Sequence, residues 1–497
     1  MADFDLAIVG GGINGTGIAR DAAGRGLSVL LAEQHDLASG TSSASTKLIH
    51  GGLRYIEHGW FRLVREALIE REVLLRIAPH LVRPMRFVLP TQAGARPAWM
   101  VRVGLFIYDH LGGRETLPGT ATVALNASPL GCSLTETHAR AFVYSDCVVD
   151  DTRLVILNAL DAAEQGAVIR TRTRCVSARR GTEWQIVLES RGRRDAVTAR
   201  VLINATGPWL ALFAAQVLGH PLPLPLRLDK GSHIVVPRLF DHDHAYIFQL
   251  RDHRVVFALP FEQDFTLIGT TDSSFAGDPG DVHANPDEIA YLCTAANQHF
   301  RKRIEPQGIV WAFAGVRALS DDGSRHSQDV SRDYHLHLDE EAGMAPLLTV
   351  YGGKITTYRR LAEHALSRLA HVFKAGPAWT AHAPLPGGDL RPDELNELII
   401  ATHRARPYLT ARNVDRLVRS YGTRVERVLG PARRIEELAP CFGEDLTAIE
   451  VRYLMQREWA QTEEDVLWRR TKLGLRLSGD ERASLAQFMT ESIGKKN

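Results

Sequence analysis

Three features of this sequence predict an α/β fold built on a parallel sheet. Leu6-Ala7-Ile8-Val9 is an unbroken apolar run, the mark of a strand buried on both faces. It flows into Gly10-Gly11-Gly12-Ile13-Asn14-Gly15, a GxGxxG turn with a helical pattern behind it through about Ala23. A second apolar run, Leu27 to Ala32, is closed by Glu33, 18 positions after Gly15. The glycines act separately. Gly10 allows the tight turn, Gly12 lets a pyrophosphate approach the backbone, and Gly15 lets the helix close onto the strand. The helix start then presents free N–H groups and a positive dipole end to the phosphates. Glu33 is placed to accept hydrogen bonds from ribose hydroxyls and to repel a 2′-phosphate. Together these give a Rossmann-like dinucleotide site.

The motif does not separate NAD from FAD, since both carry an ADP half. Its position at residue 10 of a long chain leaves ample sequence for a flavin and a substrate domain. Gly40 to Lys47 is small and hydroxyl-rich, suited to wrapping closely around an extended cofactor, and Leu48 to Tyr55 is too apolar and too Gly-punctuated for a linker. Val201 to Ala205 is another buried-strand run, ending in Thr206-Gly207, and no second GxGxxG follows residue 15. That argues against a hydride from soluble nicotinamide. Gly352-Gly353 places a turn beside Lys354, with Thr356 and Thr357 following, where a helix start can hydrogen-bond the electron-rich edge of a flavin.

Runs such as Arg254 to Pro260 and Phe265 to Thr271 read as strands of an antiparallel substrate domain. Pro384 to Gly388 is a turn-rich boundary, and Asp393 to Ala405 and Ile449 to Trp459 have helical spacing beyond it. The expected organisation is a discontinuous cofactor domain (about 1–77, 145–210 and 345–386), an inserted substrate and membrane-facing domain (about 78–144 and 211–344), and a C-terminal α-helical cap domain (387–497).

The 497 residues carry 59 Lys and Arg against 58 Asp and Glu, a net charge of +1, so no global field attracts nucleic acid. Five cysteines without a CxxC pair argue against a disulfide framework and a Cys-rich zinc site, and fit a reducing compartment. His242 and His244, and His335 and His337, lack a matching third ligand, so no metal is expected. The N-terminus does not read as a signal peptide, and no apolar run approaches the ~20 residues that span a bilayer. Trp99 to Tyr108 is apolar and aromatic, flanked by Arg83, Arg86, Arg96 and Arg114. It fits a buried core helix, or a helix lying in the lipid headgroup layer with about 83–114 as the lipid-facing segment.

IVGGGINGTGIARDAAGRG (Ile8 to Gly26), KLIHGGLRY (Lys47 to Tyr55) and GGKITTYRRLA (Gly352 to Ala362) resemble FAD-dependent glycerol-3-phosphate dehydrogenases of the aerobic, respiratory type. The resemblance extends through Tyr144–Asp151, Ile203–Trp209, Lys230–Pro237, Ile268–Asp272 and Leu467–Gly474. It implies the glutathione-reductase and amino-acid-oxidase type of FAD-binding fold, and oxidation of sn-glycerol 3-phosphate to dihydroxyacetone phosphate. It also implies a membrane quinone as acceptor, a homodimer, and a peripheral place on the cytoplasmic face of the inner or plasma membrane. The cofactor residues it implies are Gly10, Gly12, Asn14, Gly15, Glu33, Thr41, Ser42, Ser45, Thr46, Lys47, Leu48, Val176, Gly207, Gly353, Lys354 and Thr356.

Oxidation at C2 removes a proton from the hydroxyl and a hydride from carbon. The site therefore needs cations for a phosphate dianion, a base and a dry flavin face. The resemblance places Arg54, His233, Arg317, Arg332 and Lys354 near the flavin. Arg317 stands in a largely apolar strand-like run, where a charge needs a reason such as binding phosphate bidentately. Tyr55 and Thr270 add hydrogen bonds. His233, in the short polar insert Lys230 to His233, is the first choice for the base, with Lys354 second. The catalytic set is thus His233, Lys354 and Arg54. A glycerol-3-phosphate oxidase using dioxygen is the close alternative. An amino-acid oxidase fits the number of cations less well, and a non-catalytic flavin protein fits poorly with an intact His233, Lys354 and Arg317.

Overall fold

The computed structural model describes residues 2–91, 96–135, 138–250, 254–321, 332–443 and 445–494. From the N-terminus the chain forms β1 (Phe4–Val9), α1 (Ile13–Gly24), β2 (Val29–Ala32), β3 (Leu48–Ile49), α2 (Phe61–Ile77), β4 (Val82–Pro90) and α3 (Ala98–Leu111). It continues through β5 (Ala121–Ala124), β6 (Arg140–Val149), α4 (Asp151–Glu164), β7 (Val168–Arg170), β8 (Arg174–Arg179), β9 (Trp184–Ser190), β10 (Arg193–Asn204) and α5 (Leu210–Phe213). Next come β11 (Leu226–Pro237), β12 (Ala245–Gln249), β13 (Val255–Phe261), β14 (Phe265–Gly269), β15 (Ser273–Ser274), α6 (Pro286–Asn297) and β16 (Trp311–Ser320). The remainder is β17 (His335–Asp339), β18 (Leu347–Tyr351), α7 (Tyr358–Arg368), and then α8 (Leu395–Ala405), α9 (Ala411–Tyr421), α10 (Val425–Leu429), α11 (Ala448–Arg457) and α12 (Gly479–Gly494).

The first sheet has the order β17-β18-β10-β1-β2-β7, with the β8–β9 hairpin beside β10. Its centre is parallel: Leu6 faces Val29 on one side and Val201 on the other. Leu6 and Ile8 pack with α1, α4 and α7, while Ala7 and Val9 pack on the opposite face with Trp184, Leu188 and Phe213. Both faces are covered, which is why the strand reads as unbroken apolar sequence.

The second sheet runs β15-β11-β14-β13-β12-β4-β6-β3, with β16 on β11 and β5 on β6. Its pairs are antiparallel except β12 with β4. One face packs against α6 and the other against α2 and α3. The sheets divide the chain at different points from those expected. β3 and all of β6 belong to the second sheet, and β17 belongs to the first. Ala141 to Val149 is buried throughout, so its composition could not say which sheet it joined. The expected polar insert Lys230 to His233 is also corrected: these residues continue β11, because Glu288 on α6 pairs with Lys230 at 2.7 Å and accepts from Ser232 at 3.0 Å.

Helices α8 to α12 have a core of their own and join the first domain through buried ion pairs. Arg153 on α4 grips Glu458 with both guanidinium nitrogens, each partner fully buried. Arg470 forks onto Asp36 at 2.7 and 2.9 Å, and Lys472 reaches Thr152 and Asp150. Among the described residues no helix is long and apolar enough to cross a membrane, and the five cysteines are unpaired.

Removing one partner of a buried pair strands the other charge, at a cost of about 3–5 kcal/mol. Glu458→Ala should lower stability to urea by about that much, and Arg153→Met/Glu458→Leu should recover most of it. A single variant within about 0.5 kcal/mol of wild type would show that the pair does not hold the C-terminal domain.

Candidate active site

A cavity of ≈ 330 Å³ opens at the C-terminal edge of the first sheet and runs toward the second. The nucleotide end is lined by Gly10, Gly12, Asn14 and Glu33, with Thr173 to Cys175 opposite. Gly10 has φ +116°, a region that favours glycine, and a Cβ there would meet the Ala205 carbonyl. A Cβ on Gly15 would fall on the Gly10 carbonyl oxygen, so Gly15 lets α1 pack directly onto the turn. Glu33 accepts from the Gly11 and His35 amides at 2.6 and 2.8 Å, which fixes the turn and leaves carboxylate lone pairs facing the cavity. Burial raises its pKa, against those hydrogen bonds.

The middle is lined by Thr41, Ser42, Ser45, Thr46, Leu48 and Gly207, and the far end by Gly353, Lys354 and Thr356. Gly231 and Gly315 face each other across β11 and β16 and form a wall bare of side chains. Two observations fit a bound FAD. Gly12 caps α1 without a side chain of its own, Ser42 Oγ accepting from the Ile13 N–H at 3.0 Å, and the buried Oδ1 of Asn14 has no partner among the described residues, its Nδ2 being held by Gly352 O at 3.0 Å.

At the far end the cations converge. Arg317 on β16 and Arg332 before β17 both donate to Asp272, at 2.9 and 2.6 Å. Lys354 lies over the Tyr55 ring, its Nζ 3.9 Å from the centroid. Burial alone would raise the Tyr55 phenol, but Lys354, Arg332, Arg54 and Arg317 together bring it down to about 8. Lys354 is itself lowered, by burial first and by Arg332. His50 lines the same cavity, and burial, Lys354, Arg332 and Arg71 push it down to about 3. Its imidazole is therefore neutral at physiological pH.

Comparison with known proteins decides the family. Residues 5–359 match the family of FAD dependent oxidoreductases, and residues 378–495 match the C-terminal domain of alpha-glycerophosphate oxidase. The chain is 52% identical over 490 residues to a glycerol-3-phosphate dehydrogenase of Pseudomonas aeruginosa, covering 98% of this chain and 95% of that one. The chain belongs to the FAD-dependent glycerol-3-phosphate dehydrogenase family. It is also 50% identical over 489 residues to a D-erythritol 1-phosphate dehydrogenase of Brucella abortus, with 97% of each covered. A solved glycerol-3-phosphate dehydrogenase from Bacillus halodurans, complexed with FAD, superposes with a TM-score of 0.74 at 25% identity, covering 99% of this chain and 94% of that one.

The structure brings most of the residues expected for this family to the cavity, and places several elsewhere. His233 does not line it. Its ring is buried, stacked on Phe313 at 4.9 Å, with Nε2 at 3.0 Å from Thr46 Oγ1. Burial first, then Lys47 and Arg317, hold its pKa well below the usual range. Lys47 turns away as well, onto Asp151 at 2.8 and 2.9 Å, and Ser45 Oγ donates to the same carboxylate at 2.7 Å. Val176 sits at an irregularity of β8, one residue beyond the wall that Cys175 forms. Thr270 Oγ1 lies beside Gly231 and Arg317 without lining the cavity, and donates to Thr271 O at 3.0 Å. Arg54 follows in the His50–Tyr55 loop, outside the lining. Sequence reasoning missed His50 and Asp272. The first stands directly before Gly51-Gly52, and the second closes the Ile268–Asp272 motif.

Asp272→Asn should free both guanidiniums from their shared brace and raise KM for the phosphate substrate roughly tenfold, an energy of about 1.4 kcal/mol, with flavin content unchanged. Steady-state kinetics beside a flavin absorbance ratio tests this. An unchanged KM would remove Asp272 from the substrate site.

Proposed function

We propose that the protein oxidises sn-glycerol 3-phosphate at C2 to dihydroxyacetone phosphate, with a membrane quinone as final acceptor. The observation that carries the substrate class is the set Arg317, Arg332 and Lys354, with Arg54 nearby, gathered at one end of a flavin-type cavity, the two arginines sharing the carboxylate of Asp272. A carboxylate substrate needs fewer cations, whereas a phosphate dianion uses several. The glycine turn, the Thr41–Leu48 segment and the Gly352–Thr356 turn would hold FAD, which would supply the two-electron oxidant for the hydride leaving C2.

The chain's own residues do the rest. Arg317 and Arg332 hold phosphate oxygens, with Asp272 fixing their planes. Tyr55 and Lys354 orient the C2 oxygen, and the neutral imidazole of His50 accepts its proton. Burial is the first cause of the low His50 pKa, and a phosphate dianion held on Arg332 offsets only part of the further push from the nearby cations. His233 positions Thr46 from behind the cavity wall. The 50% identical D-erythritol 1-phosphate dehydrogenase favours a second reading of the same chemistry, with a longer polyol phosphate as substrate.

Anaerobic addition of glycerol 3-phosphate should bleach the flavin band, with no effect from glycerol. Bleaching by erythritol phosphate alone would establish the second reading, and no bleaching by either would overturn both. His50→Asn should slow that bleaching by roughly 10²-fold or more, and His233→Asn by much less. The reverse order would return the base to His233. Reoxidation by a soluble quinone analogue much faster than by air supports the quinone as acceptor.

The reading includes a lipid surface and, as the resemblance implies, a homodimer. Trp99, Val103 and Phe106 share one face of α3 by their spacing, and Trp99 and Phe106 are 69% and 60% exposed. The basic residues expected to help are largely engaged. Arg96 pairs with Glu57, Arg114 with Asp109 at 3.5 Å, and Arg86 donates to Pro118 O and Val143 O. Residues 92–95 of the expected lipid segment lie outside the described residues. Apolar insertion therefore leads. Trp99→Ser/Phe106→Ser should abolish flotation with lipid vesicles while raised salt should not, and flotation lost in salt alone would reverse that order.

A further inference from the structure

Tyr108 sits on the inner face of α3, 2% exposed, and takes no part in the cavity. Its hydroxyl nevertheless makes the contact that ties α3 to the substrate loop. It accepts the backbone N–H of Gly51 at 2.8 Å and donates to the carboxylate of Asp146, whose two oxygens both lie at 2.8 Å. Asp146 is 2% exposed and is held by Arg71 Nη1 at 2.8 Å, and Arg71 also donates to Ser145 O at 3.0 Å. The pairing of β3 with β6 brings these groups together, since Ile49 faces Cys147 and the chain then turns over Asp146. The two glycines of the loop fit the same arrangement. A Cβ on Gly51 would lie 2.8 Å from Tyr108 Cε2 and 2.6 Å from Leu68 Cδ2, while Gly52, at φ +78°, is pressed against the Tyr55 ring.

The Gly51 amide lies between His50 and the Leu53–Ile56 turn that carries Arg54 and Tyr55. A buried amide without a partner is costly, so the Tyr108 hydroxyl, with the Asp146 carboxylate that also draws on the Gly51 N–H, fixes where both halves of the loop point. We propose that Tyr108, with Asp146 and Arg71 behind it, is a positioning residue of the reaction: it holds the Gly51 peptide and thereby aligns His50 on one side and Tyr55 on the other. Burial raises Asp146 to about 6 and Arg71 resists that rise, so above that pH the carboxylate is an acceptor; it orients the tyrosine proton toward itself, and a phenol lone pair is left for Gly51. The proposal rests on the assignment of His50 and Tyr55 to the substrate site.

The test is Tyr108→Phe, which removes the hydroxyl and keeps the ring. The purified flavin-loaded variant should retain its flavin but show roughly tenfold or more slower anaerobic flavin reduction at saturating glycerol 3-phosphate. Amide hydrogen exchange should quicken in peptides spanning 48–56 and stay as in wild type around the Gly10–Gly15 turn. Asp146→Asn keeps an acceptor for the phenol and serves if Tyr108→Phe does not fold. It should show the same two effects more weakly, and the double variant should be no slower than Tyr108→Phe alone. A reduction rate within twofold of wild type together with unchanged exchange at 48–56 would overturn the proposal. If His50→Asn is slow while Tyr108→Phe is fast, this inference fails alone. If His50→Asn is itself fast, the substrate-site assignment fails first.

Discussion

Bringing three or four cations to one end of a buried cavity is the constraint on which the rest of this structure turns. Unit charges a few ångströms apart repel strongly away from water, so such a cluster needs a built-in counter-charge until substrate arrives. Asp272 supplies it by taking one guanidinium on each oxygen, from β16 on one side and the segment before β17 on the other. Tyr55 adds its ring face under the Lys354 ammonium, and the same cations, against burial, bring its phenol down to about 8. The site is thus poised for an anion, and the cations add to burial in keeping His50 neutral.

The two sheets meet where this happens. The chain leaves the first sheet at Glu33, wraps the cavity through Thr41 to Thr46, and enters the second at β3. That crossing segment is tied to the C-terminal domain through its own Asp36 and to α4 through Asp151, whose neighbour Asp150 holds the C-terminal domain in turn. Asp36 takes Arg469 and Arg470, Asp151 takes Lys47 and Ser45, and Asp150 takes Lys472. The helical domain therefore acts as a brace on the cofactor loop, and an expectation of a cap with no stated purpose gains a physical role.

The cofactor end was legible in the sequence because its rules are steric. Only glycine tolerates the Gly10 conformation and the Gly10–Gly15 approach, so spacing alone located the turn. Arg317 was legible because a charge in an apolar strand needs a partner. Lys47 and His233 were misplaced for one shared reason: local sequence cannot show what a distant element offers. Asp151, 104 positions away, captures the lysine, and Phe313 and Thr46 enclose the histidine. His50 was passed over because it stands in an apolar stretch with no polar neighbours. Only the tertiary fold brings Lys354 and Arg332 close enough to mark it.

The most direct measurement is a crystal structure of the flavin-loaded protein with dihydroxyacetone phosphate bound. The phosphate should rest on Arg317 and Arg332, both still held by Asp272, with the C2 oxygen within hydrogen-bond reach of His50. A phosphate seated away from those arginines, or a C2 oxygen facing a residue other than His50, would contradict the account.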